Sequence, residues 1–393
     1  MLVAIIVLLL GSPAIAEALH LFQSRHYLVH TNLNREEVLD FGRKMDAIFD
    51  QYQRRFFGFG THASRPMPLY LLRTREQYIQ LLTQHDIDGH NSGGMFVSTP
   101  KFHGLATWMA GRSRSQTFIT LQHEGFHQFA WNFLGHELPA WMNEGLAQYF
   151  EDAIIIGQRM MTGLANTRRI EIVRDAIKHR RTIGFSTLLN LNAQQWGELL
   201  NRDPDGSALL YAQSWSLTFF LIHGDDGKYQ QALGKYLQLV SDGHDSVAAF
   251  RLTFGSEDLS PMERRWHSFA QAHQPDAINT AAARMEFLGT ALEYLSENQE
   301  PMPKTIDHLK QYLQTRQFKL TTQSHGITTT LDAADDQLYV FPRPQESDRA
   351  FTLLESARND LPPRITALGL RPEPMLVWSR DTEGQLIQEI EYR

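Results

Sequence analysis

The chain contains no cysteine. That absence removes disulfides, thiolate zinc sites, iron–sulfur clusters and cysteine nucleophiles together, so any bound metal must be held by histidine and carboxylate. Positive charge is not in excess either. Lys and Arg number 37 against 44 Asp and Glu, a net of −7, and no positive field draws the chain onto nucleic acid or an anionic membrane. No G-x-S-x-G elbow, no G-x-x-x-x-G-K-[ST] phosphate loop and no G-x-G-x-x-G fingerprint occurs. An N-x-[ST] sequon is also missing. What remains is the composition of a folded protein: 42% hydrophobic and 21% charged residues over a length of 393, enough for two domains.

The one long apolar run is Leu2 to Leu10, followed by Gly11-Ser12-Pro13 and Ala14-Ile15-Ala16. This pattern is an h-region with an A-x-A cleavage site, although no Lys or Arg precedes it. The run falls short of the ~20 residues that cross a bilayer, so residues 1–16 are expected to be a cleaved signal peptide. The mature chain is then exported, to periplasm, cell envelope or medium, with no stable membrane span.

Periodicity predicts an α+β chain. Tyr27 to His30 alternates as a strand, and Arg35 to Phe56 carries Val38, Phe41, Met45, Ile48 and Phe49 at helical spacing. A second strand and helix follow at Pro68–Leu72 and Glu76–Leu82, then a hairpin of Met95–Val97 and Leu105–Trp108. A helix from Thr117 to Leu134 stops at Gly135, and Pro139 opens another that runs to about Asp152. Arg169–Lys178 and Ala208–Ile222 are also predicted helices. The polar segment His273-Gln274-Pro275-Asp276 marks a boundary, giving a domain over 17–275 and a C-terminal α+β module over 276–393. In that module helices at Ala277–Leu295 and Thr305–Leu313 precede strands at Gly326–Leu331, Leu338–Phe341, Met375–Trp378 and Leu386–Tyr392.

The sharpest signal is His123-Glu124-Gly125-Phe126-His127. On a helix, residues four apart lie one turn above each other, so both imidazoles can close on one ion, with Glu124 displaced by ~100° toward the same pocket. Phe126, Phe129, Ala130 and Phe133 form an apolar stripe that sets this helix against a core. A catalytic zinc takes three protein ligands and leaves one position open. Glu144, on the next helix, is the favoured third ligand, with the small residues Ala140 and Ala147 on its own face. His136, in the connection, is the alternative. His20, His26 and His30 form a weaker candidate for a second metal site.

HEGFH followed by Trp141-Met142-Asn143-Glu144-Gly145-Leu146-Ala147 resembles the gluzincin metallopeptidases, in particular the bacterial peptidase MA-like proteins. The likeness spans about Tyr27 to Leu221 and is specific between Leu121 and Phe150. It implies a zincin-like fold, one zinc per chain held by His123, His127 and Glu144, and Glu124 as general base for hydrolysis of peptide bonds. Tyr211, in Tyr211-Ala212-Gln213-Ser214-Trp215, is implied as an oxyanion donor. Those enzymes orient a ligand histidine with an Asp four residues after the ligand Glu, where this chain has Gln148, whose amide oxygen could accept the imidazole N–H. In such enzymes a sheet-edge strand next to the metal helix holds an extended substrate, a part that falls here to Leu105–Trp108, with Trp108 and His103 facing the cleft. The alternative to an enzyme is a zinc-stabilised envelope protein that holds peptides or protein partners without cutting them.

Overall fold

A computed structural model describes residues 19–393 apart from 60–64, 136–137, 203, 256–257, 325–326, 345, 357 and 382–383. The expected signal peptide and His136 lie outside the described residues. The chain is α+β, built on a small mixed sheet.

The alternation in β2 (Tyr27–Thr31) puts Tyr27 and Val29 into a core and leaves His30 on the opposite face. A short strand missed in the sequence, β1 (His20–Gln23), pairs with it antiparallel. Helix α1 (Arg35–Arg55) begins at a reciprocal cap between Asn34 and Glu37, then returns the chain to β3 (Met67–Leu72), parallel to β2. After α2 (Arg75–Thr83) come β4 (Gly94–Ser98) and β5 (His103–Trp108), an antiparallel hairpin. The strand order β1-β2-β3-β5-β4 buries β5 between β3 and β4. The edge strand is therefore β4, a correction to the expectation for Leu105–Trp108. Its cause is non-local: β5 pairs in parallel with β3, a contact that hairpin periodicity does not report.

Helix α3 (Arg114–Phe133) starts three residues earlier than periodicity predicts. Ser113 and Gln116 cap each other reciprocally, which satisfies amide donors that a start at Thr117 would leave open. Gly135, at φ +97°, takes the chain out of the helix in a conformation costly for other residues. Pro139 then precedes α4 (Ala140–Glu151). Helices α1 and α3 cover one face of the sheet, contributing Phe41, Met45, Phe49, Tyr52, Phe126 and Phe129 to one core with Val29, Leu69 and Leu105. Trp108 points to the other face, where it packs on Tyr78 of α2. It does not face the cleft expected for it.

A small hairpin, β6 (Ile154–Ile156) and β7 (Arg159–Met161), leads into a run of helices: α5 (Thr167–Lys178), α6 (Phe185–Asn190), α7 (Ala193–Arg202), α8 (Pro204–Gly227), α9 (Gln230–Ser241), α10 (Ser246–Phe254) and α11 (Ser260–Ala272). Helical geometry in α8 breaks at Gly224, and Asp225 and Asp226 take positive φ. The apolar cluster containing the α3 and α4 side chains ends at Ala270.

A second cluster begins at Ala281. It joins α12 (Ala277–Glu297) and α13 (Ile306–Thr315) to β8 (Lys319–Ser324), β9 (Ile327–Asp332), β10 (Val340–Arg343) and β11 (Glu346–Ala350), and to a four-stranded antiparallel sheet. That sheet runs β12 (Thr352–Leu354), β13 (Arg364–Thr366), β14 (Pro374–Arg380), β15 (Leu386–Tyr392). Lys44 pairs with Glu389 at 2.8 Å, Thr167 bonds Thr280 at 2.9 Å, and Ile154, Leu164 and Ile278 form a small apolar contact between the two clusters. No helix among the described residues is long and apolar enough to cross a membrane.

Candidate metal centre

Helical spacing stacks His123 and His127 on α3 with ring centroids 4.8 Å apart. Glu144 of α4 faces both. Its Oε2 lies 3.3 Å from His123 Nε2 and its Oε1 3.7 Å from His127 Nε2. Ligand atoms of the three residues all fall within 4.8 Å of one another, so the group could hold a metal ion. Zinc–ligand bonds of about 2.1 Å in a tetrahedron require ligand atoms about 3.4 Å apart. The two separations, one to each oxygen of Glu144, lie near that figure, so a two-histidine, one-carboxylate donor set is compatible with a metal ion.

Several contacts set the two helices at this separation. Tyr52 of α1 donates to the Gln122 carbonyl at 2.6 Å, and the Gln122 amide donates to the carbonyls of Phe150 and Ala153, both at 2.8 Å. Gly145, beside the acidic ligand, lets α4 lie directly on α8. A Cβ there would come within 2.2 Å of Thr218 Oγ1 and 2.5 Å of the Ser214 carbonyl oxygen. Ala147, expected to ease the approach to α3, is fully buried.

Each imidazole is held by its other nitrogen. His127 Nδ1 lies 3.1 Å from Asn143 Oδ1, and His123 Nδ1 lies 2.5 Å from Glu151 Oε2. Gln148 does not take the expected role: it is fully buried, and among the described residues neither its amide nitrogen nor its oxygen has a hydrogen-bond partner. The orienting carboxylate comes from Glu151 instead, two helical turns after Glu144. Glu151 also pairs with Arg169, which pairs with Asp152 at 2.5 Å, and Asn166 donates to Asp152 at 2.9 Å. Neither Glu151 nor Arg169 was singled out in the sequence. The available signal was Glu151 at seven residues past Glu144, a spacing that returns to the same helical face.

Burial favours the neutral ring of His123, but Glu144 and Glu151, with the charge of Glu124, override it and hold its pKa up to about 10. A buried imidazole among three carboxylates calls for positive charge, which a proton or a metal ion can provide. Glu124 accepts a hydrogen bond from the Phe96 amide of β4 at 2.9 Å. Its pKa is raised by burial, against the opposing pull of His123 and His127.

Tyr211 of α8 lies edge-on to Trp196, with centroids 5.7 Å apart. Burial and then the charges of Glu144 and Glu124 push its phenol far above the ordinary range, so it is a neutral donor near both carboxylates. His103 is exposed, with Nδ1 3.0 Å from Ser98 Oγ and its ring 5.5 Å from Phe96. The amino-terminal histidines do not gather: His26 pairs with Asp50 at 3.1 Å, while His30 stacks on Tyr70. Among the described residues, His123, His127 and Glu144 are the one group able to gather three ligands around an ion.

A family described as a protein of unknown function (DUF1570) matches residues 117–242. The matched stretch runs from the first turns of α3 to the end of α9, so it contains every residue of the metal group and Tyr211. No curated protein matches the chain.

Proposed function

We propose that this protein is a zinc-dependent metallopeptidase of the gluzincin type, exported from the cell, with a zincin-like catalytic domain followed by a separate module after Pro275. The observation that supports this reading is the convergence of His123, His127 and Glu144, with Nε2–carboxylate separations of 3.3 and 3.7 Å, accompanied by Glu124. A staple that only stabilised the fold would have no use for Glu124 beside its ligands. One zinc per chain would supply Lewis acidity for the scissile carbonyl and the attacking water.

The chain's own groups supply the rest. Glu124 accepts the water proton at a carboxylate oxygen and returns it to the leaving amine, a part helped by burial, which raises its pKa and makes it a stronger base. The Phe96 amide holds that carboxylate on the edge strand. Tyr211, kept neutral, donates to the oxyanion as charge develops. Glu151 and Asn143 fix the two rings so that both Nε2 atoms face Glu144, where the three residues would hold the ion. Strand β4, at the edge of the sheet and with its Phe96 amide engaged by Glu124, is the strand on which an extended peptide or protein substrate would be added. A net charge of −7 gives no overall attraction for a nucleic acid substrate.

The test is metal analysis of the purified protein together with cleavage of a peptide library. Zinc near one per chain, with cleavage abolished in Glu124→Gln but metal retained, is the expected result. Zinc with no cleavage in the unsubstituted protein would replace the enzyme by a zinc-stabilised binding protein.

A further inference from the structure

Strand β4 and helix α3 form a wedge beside Glu124. Alternation turns Gly94, Phe96 and Ser98 toward the helix, and Thr120, Glu124, His127 and Trp131, at i, i+4, i+7 and i+11, make the helix face below them. At one end the wedge is shut. A Cβ on Gly94 would stand 2.6 Å from Thr120 Cγ2 and 3.0 Å from the Ala106 carbonyl oxygen, so strand and helix meet there with no side chain between them. Arg112 closes the same end, donating to the Gly93 carbonyl at 2.7 Å and to the Gln116 carbonyl at 3.1 Å.

Two residues further along β4 a full aromatic side chain fits into the same interval. The Phe96 amide reaches Glu124, while its ring lies 6.3 Å from that of Trp131 on α3 and 5.5 Å, edge-on, from that of His103 on β5. His103 stands opposite Ser98 in the strand register, and its Nδ1 lies 3.0 Å from Ser98 Oγ. Exposure rises away from the shut end: Thr120 is 7% exposed, Phe96 and Trp131 are partly buried, and His103 is open to solvent. The open end is thus walled by three rings from three elements, one of them on the residue whose backbone holds Glu124. A peptide laid along β4 past Glu124 has room for a large side chain only at that end. Ring faces and edges favour large apolar groups there, aromatic ones above all, through offset and edge-to-face contacts.

We propose that Phe96, Trp131 and His103 form a side-chain subsite that selects extended peptides carrying a large apolar residue, aromatic by preference, next to the peptide bond at Glu124. The subsite rests on the peptidase reading for the place of that bond, and its selectivity is measured apart from turnover. Full-length Glu124→Gln protein, supplied with zinc, is incubated with a random decapeptide library, and the retained peptides are sequenced. Phe, Tyr and Trp should be enriched about tenfold or more over Ala at one position, the discrimination that a shaped apolar pocket gives. Phe96→Ala in the same background should flatten that enrichment. His103→Glu, at an exposed position where folding is not at stake, should instead bring Lys and Arg into the selected position, an outcome that loss of structure does not produce. Retained peptides without aromatic enrichment, retention of no peptide, or an enrichment unchanged in both variants would overturn the proposal. Cleavage by the unsubstituted protein without such enrichment sinks the subsite alone, whereas aromatic enrichment without cleavage sinks the peptidase reading and leaves the subsite standing.

Discussion

His123 and His127 stand one helical turn apart on α3, yet the first is 2% exposed and backed by a carboxylate shared with a buried guanidinium, while the second is 14% exposed and backed by an amide. An ionised carboxylate raises the basicity of the ring it holds; a carbonyl oxygen does so less. The shared carboxylate costs more to arrange, since Arg169, Glu151 and Asp152 are all buried and each depends on the others. The same few atoms therefore orient a metal ligand on one side and hold up the fold on the other. At Asn143 only orientation is at stake.

The largest expected effect lies between these two sides, at Glu124. Glu124→Gln should lower kcat/KM for a cleaved peptide by on the order of 10²–10⁴-fold, with zinc content unchanged. Equal losses of zinc and activity would make Glu124 a structural acid. The comparison itself is broken or sharpened by Glu151→Gln against Asn143→Ala. Glu151→Gln should weaken zinc affinity by about 10–100-fold and also lower the melting temperature, because Arg169 loses half of its compensation. Asn143→Ala should weaken zinc at or below the low end of that range and leave the melting temperature nearly unmoved. Competitive chelator titration and calorimetry on both variants decide it; matching stability losses would erase the asymmetry.

Much of this was legible in the sequence because it is local. The i,i+4 spacing of the histidines, the stop at Gly135, the restart at Pro139 and the Glu144 position are all properties of segments shorter than 30 residues, and the structure brings His123, His127 and Glu144 together. Glu151 was hidden because the resemblance directed attention four residues past Glu144, to Gln148, and because its partner Arg169 lies on another helix. The edge position of β4 was hidden for a related reason. A hairpin pattern fixes which strands pair with each other, but not which of the two joins a parallel neighbour. Strand β1, four residues long with Leu21 66% exposed, offered almost no alternation to read.

Next in size is Gly145→Ala. Its Cβ would meet a backbone carbonyl oxygen on α8 at 2.5 Å, and backbone yields less easily than a side-chain end. Stability should fall by about 1–3 kcal/mol, read from the urea midpoint. Zinc affinity should fall with it, since the helix that carries Glu144 must shift. Thr218→Ala in the same chain should restore only part, because it removes the 2.2 Å contact and leaves the carbonyl. Full restoration would mean that α4 is free to move without cost.

The smallest effect contrasts the metal region with the C-terminal module, where the partly buried Glu286 has no ion pair among the described residues. Burial raises Glu286 to about 7 in the folded chain, against 4.5 for the ordinary carboxyl. Between those values the folded state binds more protons at this group than the unfolded one, so the contribution of Glu286 to stability is greatest below pH 4.5 and is lost as pH rises through 7. Glu286→Gln should therefore stabilise the protein at pH 8, by about 1–2 kcal/mol once partial solvent access is allowed for, and the gain should vanish near pH 4.5. Paired urea titrations at the two pH values provide the check. A gain equal at both would show that Glu286 is solvated, and that only the metal region of this chain confines uncompensated charge.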